Sequence, residues 1–305
     1  MCILRFLRLA GWAILIVLAS GVLCAGDPPA EISLDALGAV LMDADTGVVL
    51  YEKDPHKRLP NASTTKIMTA ILLIEHCDMT DRIEASKSAC DTPYTSLHLK
   101  VGETITAKDL LTGMLVRSAN DASVAAAEHI AGSTESFAAV MNAKAASLGC
   151  KDTNFVTPNG LHDPNHYSSA YDLCLMARYA LRYPVFNEAV QTRKYQLSSR
   201  TINKEDLCVF SHNKFLRGYP GADGVKSGYT KQARTCYVGS ATRDGWRLVS
   251  AILGSPNANG QTALLMDYGF NNFEPRRIVG ANQKCGDAEV KGGRQRQVDA
   301  LASKE

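Results

Sequence analysis

The sequence predicts a mixed α/β fold of the α+β kind, an antiparallel sheet covered by helices with a helical lobe beside it. Three observations predict it. A hairpin signature lies near the front of the chain, a block of helical periodicity fills the middle, and strand-like runs then return ahead of one closing helix.

Taken in order, the chain opens with Arg5 and Arg8 before an apolar run from Leu9 to Leu23. This is the charged and apolar pattern of a secretory signal, so residues 1–25 read as a signal peptide and the working protein as exported. Small residues at Cys24, Ala25 and Gly26 suit simple cleavage. Lipidation at Cys24 is the alternative, weakened by Gly21 where a Leu is expected, and an uncleaved anchor is another. No second apolar run is long enough to span a bilayer, and membrane association stays open.

Residues 36–53, ALGAVLMDADTGVVLYEK, place two aliphatic, β-branched runs around Asp43-Ala44-Asp45-Thr46-Gly47, the composition of a hairpin. After Pro60 the pattern changes to KIMTAILLIE, apolar on nearly every face from Ile67 to Ile74, which predicts a helix buried all round. From Ala107 to Tyr183 four helical runs are punctuated by Gly113, Gly132, Gly149 and the loop Thr157-Pro158-Asn159-Gly160. Strand character returns at Leu207–Phe210, Thr235–Ser240 and Arg247–Leu253, with a turn at Arg243-Asp244-Gly245, and Gln261–Phe270 reads as the closing helix. Beyond Phe273 the chain turns polar and Gly-rich, and so short a tail is too small for a core of its own.

With 305 residues, 46% hydrophobic and 21% charged, the chain can bury a substantial core. That excludes a disordered or fibrous protein. A formal charge of +2 supplies no field that would hold nucleic acid or an anionic membrane. Seven cysteines follow the signal (Cys77, Cys90, Cys150, Cys174, Cys208, Cys236 and Cys285), an odd number without a C-x-x-C pair. They read as small buried apolar residues, with a Cys77–Cys90 disulfide left open. The seven histidines show no metal-ligand spacing, so no metal is expected.

Ser63-Thr64-Thr65-Lys66 sets a hydroxyl and an amine three residues apart at the mouth of the buried helix, on one face and one turn apart. A serine is a poor nucleophile until a base takes its proton, and a lysine serves where desolvation or a nearby cation lowers its pKa. The spacing alone is a weak signal, since Ser211-His212-Asn213-Lys214 matches it too. That second copy precedes no apolar run and reads as a solvated loop. Two companions strengthen the first copy: Ser118-Ala119-Asn120 between helical runs, and Lys226-Ser227-Gly228 ahead of Tyr229. Each alone also reads as a helix cap or a solvated cation.

Together these motifs form the set of the penicillin-recognising serine enzymes, and the chain resembles the low-molecular-mass penicillin-binding proteins that act as D-alanyl-D-alanine carboxypeptidases, the S11 serine peptidases. The resemblance runs from about Gly38 to Glu274 and includes LMDADTGVVLYEKDPHKRLPNASTTKIMTA, SANDA, NGLHDPNHYSSAYDL, HNKFLRGYPGADGVKSGYT and VGSATRDGWRLVSAILG. It implies a β-lactamase/transpeptidase-like fold, with a penicillin-binding carboxypeptidase domain over 31–272 and, over 273–305, the start of a small C-terminal β-domain that looks incomplete.

Carried over by residue, the resemblance implies that Ser63 attacks the bond between two D-alanines at the end of a peptidoglycan stem peptide and that Lys66 takes its proton. Ser118 relays a proton to the leaving amine, Asn120 orients Lys66 and the substrate amide, and Lys226 with Ser227 meets the terminal carboxylate. Gly228 lets a strand approach the substrate, and the N–H groups of Ser63 and Tyr229 make the oxyanion hole. β-Lactams would acylate the same serine. No cofactor is implied, and the place of action is the periplasm or the outer face of a bacterial cytoplasmic membrane.

Two departures stand out: Ser227 replaces the usual Thr, and Arg234 stands where relatives look to have Gly. The rivals are a muropeptide endopeptidase, a β-lactamase and a noncatalytic wall-binding protein. A class A β-lactamase needs a Glu-x-x-Leu-Asn segment, and Glu188-Ala189-Val190-Gln191 does not supply it.

Overall fold

The computed structural model describes residues 32–205, 207–276, 283–289 and 297–301. The expected signal peptide lies outside the described residues. Strands β1 (Gly38–Asp43) and β2 (Val49–Lys53) pair antiparallel as the expected hairpin, with Ala39 opposite Lys53. Asp43 fixes the turn: its Oδ1 accepts the N–H groups of Asp45 (2.9 Å) and Thr46 (2.7 Å), and its Oδ2 accepts the indole N–H of Trp246 (2.6 Å).

A short 3-10 turn (Ala62–Thr65) leads into α1 (Lys66–His76), buried from Lys66 to Leu73 as its all-round apolar pattern requires. Next come β3 (Arg82–Glu84), α2 (Lys87–Cys90), β4 (Thr104–Thr106), α3 (Ala107–Val116), α4 (Asn120–Ala131), α5 (Thr134–Ser147) and α6 (Ala170–Ala180). The caps are legible residue by residue. Thr106, Ser133 and Ser169 each accept an N–H of the first turn through the side chain, and Gly132 closes α4 in the left-handed region. Helix α7 (Pro184–Gln191) occupies a stretch without a predicted element; Pro184 at its first turn is its sequence signal.

Strands β5 (Lys194–Gln196) and β6 (Cys208–Phe210) form a small ribbon, followed by α8 (Lys214–Gly218). Then β7 (Ala222–Thr230), β8 (Arg234–Arg243) and β9 (Trp246–Ser255) complete a five-stranded antiparallel sheet in the order β2-β1-β9-β8-β7. The closing helix α9 (Ala258–Asn272) is longer than predicted at both ends, and the Asn257 side chain caps its start. A last hairpin, β10 (Lys284–Glu289) with β11 (Gln297–Leu301), lies in the polar tail.

The middle of the sheet is buried on both faces, which is why the central parts of β8 and β9 read as nearly continuous apolar runs. Val40, Met42, Val249 and Ala251 join the core of the helical lobe, and α6 packs on β1 and β9 there. On the other face Gly269 of α9 sits against Leu41 and Leu248. Helix α1 runs through the middle of the lobe against α3, α4, α5 and α6, so its N-terminal end is held between lobe and sheet.

All seven cysteines are free thiols, and no Cys77–Cys90 bridge forms. Cys77, Cys150, Cys174 and Cys236 are buried as expected, whereas Cys90 and Cys208 are half-buried and Cys285 is exposed. Burial pushes the Cys150 and Cys174 thiols up, and Cys236 to about 12, which keeps them unreactive. Among the described residues no helix is long and apolar enough to cross a membrane.

Candidate active site

The turn carrying Ser63 is fixed by its own side chains. Asn61 Nδ2 donates to Thr64 Oγ1 (3.2 Å) and Thr65 Oγ1 (2.9 Å), while those hydroxyls donate back to the carbonyls of Asn61 (2.7 Å) and Ala62 (2.8 Å). The two threonines of Ser-Thr-Thr-Lys therefore lock the backbone, which leaves Ser63 and Lys66 to face the cleft. Lys66 is fully buried, and its ammonium donates to Ser63 Oγ (2.9 Å), Asn120 Oδ1 (2.8 Å) and the Asn159 carbonyl (2.8 Å).

No carboxylate is among those partners. Burial holds the Lys66 pKa well below the ordinary lysine range, and the positive charge of Lys226 pushes it the same way, against a smaller pull upward from Asp121. As a free amine, Lys66 has two N–H groups for the two amide oxygens and one lone pair, which faces Ser63. The arrangement can accept the serine proton.

Asn120 is oriented from two sides: its Nδ2 donates to the Pro93 carbonyl (2.9 Å) and its backbone N–H to the Thr95 carbonyl (2.7 Å). Asp121 anchors the same strap by accepting from Ser96 Oγ (2.6 Å) and the N–H groups of Leu97 and Leu99 (2.9 and 3.1 Å). Ser118 adopts a left-handed backbone (φ 65°) in the break between α3 and α4, and the cap position is Ala119, so neither Ser118 nor Asn120 is the helix cap.

Lys226 is 2% exposed and donates to Ser118 Oγ (2.9 Å) and the Ser227 carbonyl (2.8 Å). It is not a solvated loop cation. Desolvation lowers its pKa to about 7. Gly228 is where β7 meets the nucleophile turn: a Cβ there would lie 2.8 Å from the Ser63 nitrogen. Tyr229 follows with its side chain 70% exposed.

A cavity of about 290 Å³ opens beside Ser118, Lys226 and Ser227, with Arg117 and His212 among its lining and Val190 and Val225 in its wall. Ser211, His212 and Asn213 of the Ser211–Lys214 segment, read from sequence as a solvated loop, belong to this wall. Ser211 and Asn213 are buried, Asn213 caps α8 and accepts the Tyr237 hydroxyl (2.8 Å), and only His212 and Lys214 are exposed. Ser211 is buried with its Oγ accepting the Asn213 N–H (3.2 Å), whereas Lys214 is exposed at the start of α8, so the two are not set as a nucleophile and its base.

Arg234 does not enter the cleft. Its backbone is left-handed (φ 57°) and its guanidinium donates to the Gly254 carbonyl (3.3 Å). Arg234→Gly is expected to keep stability within about 1 kcal/mol of the parent, since relief of the left-handed strain offsets the entropy of a new glycine. Chemical denaturation checks this, and a loss above about 2 kcal/mol would mean that the guanidinium contact matters more than the strain. Glu188, weighed against a β-lactamase carboxylate, is paired on the surface with Lys108 (3.2 Å). Among the described residues no cluster of His, Cys, Asp and Glu could hold a metal.

All eight sequence-derived candidates thus lie on three chain segments that meet at one cleft, the nucleophile turn with the start of α1, the α3–α4 break with the start of α4, and β7. Ser63, Lys66 and Asn120 are in direct contact, Ser118 and Lys226 are in direct contact, and Ser227, Gly228 and Tyr229 continue the strand beside Ser63. Sequence reading missed the Asn159 carbonyl, Asp121 and the Ser211–Asn213 wall.

The model of the D-alanyl-D-alanine carboxypeptidase family (peptidase S11) matches residues 25–257. The chain is 37% identical to the D-alanyl-D-alanine carboxypeptidase DacF of Bacillus subtilis, over 91% of this chain and 73% of that one. It is 36% identical to DacB2 of Mycobacterium tuberculosis, over 79% and 84%. Among solved structures, penicillin-binding protein 5 of Haemophilus influenzae superposes with a TM-score of 0.81 at 30% identity, covering 90% of this chain and 82% of that one.

Proposed function

The chain belongs to the S11 peptidases and is a serine-type D-alanyl-D-alanine carboxypeptidase, and from that premise we propose that it removes the terminal D-alanine of peptidoglycan stem peptides through an ester on Ser63. One observation carries this reading: a fully buried lysine amine, 2.9 Å from the serine hydroxyl, whose other partners are two amide oxygens.

In the first step the Lys66 lone pair takes the Ser63 proton while Oγ bonds to the carbonyl carbon of the penultimate D-alanine. The oxyanion is met by the N–H groups of Ser63 and Tyr229, aimed at a charge that exists only in the transition state. As the C–N bond breaks, the proton that Lys66 took passes along Ser118, which Lys226 contacts at 2.9 Å, to the leaving amine, so Lys66 is neutral again. Lys226 and the Ser227 hydroxyl hold the terminal carboxylate, and the cavity beside them receives the departing D-alanine. Lys66 then deprotonates a water that attacks the ester, and as the ester C–O bond breaks Lys66 hands that proton to Ser63 Oγ.

A β-lactam presents the same acyl group in a ring, so its leaving nitrogen stays tethered and the ester persists. The signal-like pattern of the first 25 residues supports a site of action on the cell wall side of the membrane. The test is release of free D-alanine from a pentapeptide ending in D-Ala-D-Ala. One D-alanine per peptide is expected, with none from the tetrapeptide or from a peptide ending in L-alanine; folded protein that releases none would overturn the reading.

A further inference from the structure

Behind Ser63 and Lys66 lies a buried imidazole that the mechanism above does not use. His166 is 3% exposed, and both of its ring nitrogens are occupied. Nδ1 accepts the backbone N–H groups of Val156 (3.0 Å) and Thr157 (3.2 Å). Nε2 lies 2.8 Å from Thr65 Oγ1.

Two independent counts of protons fix its tautomer. Two N–H groups pointing at Nδ1 require that nitrogen to be bare. On the other side, the single Thr65 hydroxyl proton goes to the Ala62 carbonyl (2.8 Å), so Thr65 must accept at the imidazole, and Nε2 carries the proton. The imidazole is therefore neutral, and burial holds its pKa at about 4, with Asp163 and His162 as the titratable groups that face it.

The two ends of this ring reach the two catalytic partners. On the Nδ1 side, Val156 and Thr157 open the loop whose Pro158 carbonyl accepts Thr69 Oγ1 (2.5 Å) and whose Asn159 carbonyl accepts Lys66 Nζ (2.8 Å). On the Nε2 side, Thr65 closes the turn that presents Ser63. The backbone that follows the ring is held by the bridges Asn154–Tyr167 and Leu59–Ser168 at the next two residues.

We propose that His166 is a positioning residue of this enzyme, a neutral bridge that sets the Asn159 carbonyl and the Ser63 turn in one geometry, so that the Lys66 lone pair points at Ser63 Oγ. The proposal rests on the acyl-enzyme mechanism given above. It makes the imidazole neither acid nor base; both of its nitrogens are committed to bonds away from the cleft.

His166→Asn, His166→Gln and Thr65→Val separate the two ends. An Asn oxygen near the Nδ1 position keeps the loop bonds and loses Thr65, whereas a Gln amide nitrogen near Nε2 keeps Thr65 and loses the loop. Thr65→Val removes the hydroxyl at nearly constant volume. With the full chain, the rate constant for acylation by a fluorescent penicillin is measured against pH, beside the thermal midpoint. Each variant is expected to acylate about 10- to 100-fold more slowly, the cost of a misaligned reacting pair. The Asn and Val changes together are expected to be no worse than the slower single change, because both cut the same link.

The ascending limb of the pH profile, set by Lys66 facing Lys226 and Asp121, is expected to move to lower pH in His166→Gln, where the ammonium loses its Asn159 acceptor. It is expected to stay in His166→Asn. Folded variants that acylate within about 2-fold of the parent, or that slow equally with neither limb displaced, would overturn the proposal. Thr65→Val decides alone if the His166 variants do not fold, since a parental rate in that variant overturns the link. A parent protein that forms no adduct at all overturns the acyl-enzyme reading itself, and the parent control shows which of the two has failed.

Discussion

Replacing Lys66 with methionine is expected to slow acylation of Ser63 by roughly 10³- to 10⁴-fold while the fold stands. Methionine nearly matches the length of the lysine stem and removes a nitrogen that is costly to bury, so stability is expected to hold within about 1 kcal/mol. The sign of the linkage supports this. The folded pKa of Lys66 lies well below that of the unfolded chain, so between the two values the unfolded chain binds more protons and the parent gains stability as pH rises. Below the folded value the parent bears a buried charge; the variant does not, and its stability should lose that slope.

The same shift shapes the parent's activity. Acylation requires Lys66 neutral, so its rate rises with pH through a value well below that of a free lysine, and it requires Lys226 charged to hold a carboxylate, so it falls again as Lys226 loses its proton. In the free enzyme that loss is half complete at about 7. A bell-shaped kcat/KM is therefore expected, and a flat profile from about pH 6 to 10 would contradict the role of Lys66.

Gly160→Ala is expected to be more damaging than a methyl group added at any other described glycine. Gly160 has φ +82°, and a Cβ there would fall 1.9 Å from the Ala62 carbonyl oxygen and 2.8 Å from Thr65 Oγ1. Neither the loop nor the turn can retreat, because Asn159 is bonded to Lys66 and Thr65 to Ala62. The left-handed conformation alone costs roughly 1–2 kcal/mol. Displacement of the nucleophile turn should bring the total to about 3 kcal/mol or more, with acylation at least about 100-fold slower. Gly149→Ala is the control: its φ is +85°, but a Cβ there meets nothing within 4 Å, so it should show the backbone cost without the catalytic one. Urea denaturation and penicillin acylation rates on both variants measure the difference.

The sequence was most legible where side chains do the chemistry. Ser63 and Lys66 could be placed on one face because their spacing matches a helical turn, and the all-round apolar run behind them announced a buried helix. Ser118-Ala119-Asn120 and Lys226-Ser227-Gly228 were legible only as companions, since a serine near a helix start or a lysine near a strand is commonplace. What stayed hidden was backbone. The Asn159 carbonyl that anchors Lys66 has no residue-type signature, and any residue could supply that oxygen. Strand β7 was visible only through the motif inside it, because ADGVKSGYT contains two glycines and few β-branched residues. Helix α7 was missed for want of length, and the Ser211–Asn213 wall was misread because its polar residues look solvated until tertiary packing buries them. His166 is the same kind of case: a lone histidine in a loop carries its meaning only when both ring nitrogens can be traced.

The acyl-enzyme on Ser63 is the claim on which the rest depends. Mass spectrometry of the purified protein after incubation with benzylpenicillin, run beside Ser63→Ala, tests it most directly. The account predicts a mass increase equal to one intact penicillin, located on the peptide that contains Ser63 and absent from the variant. An adduct on any other residue, or none on folded protein that also leaves the penicillin unconsumed, would contradict it.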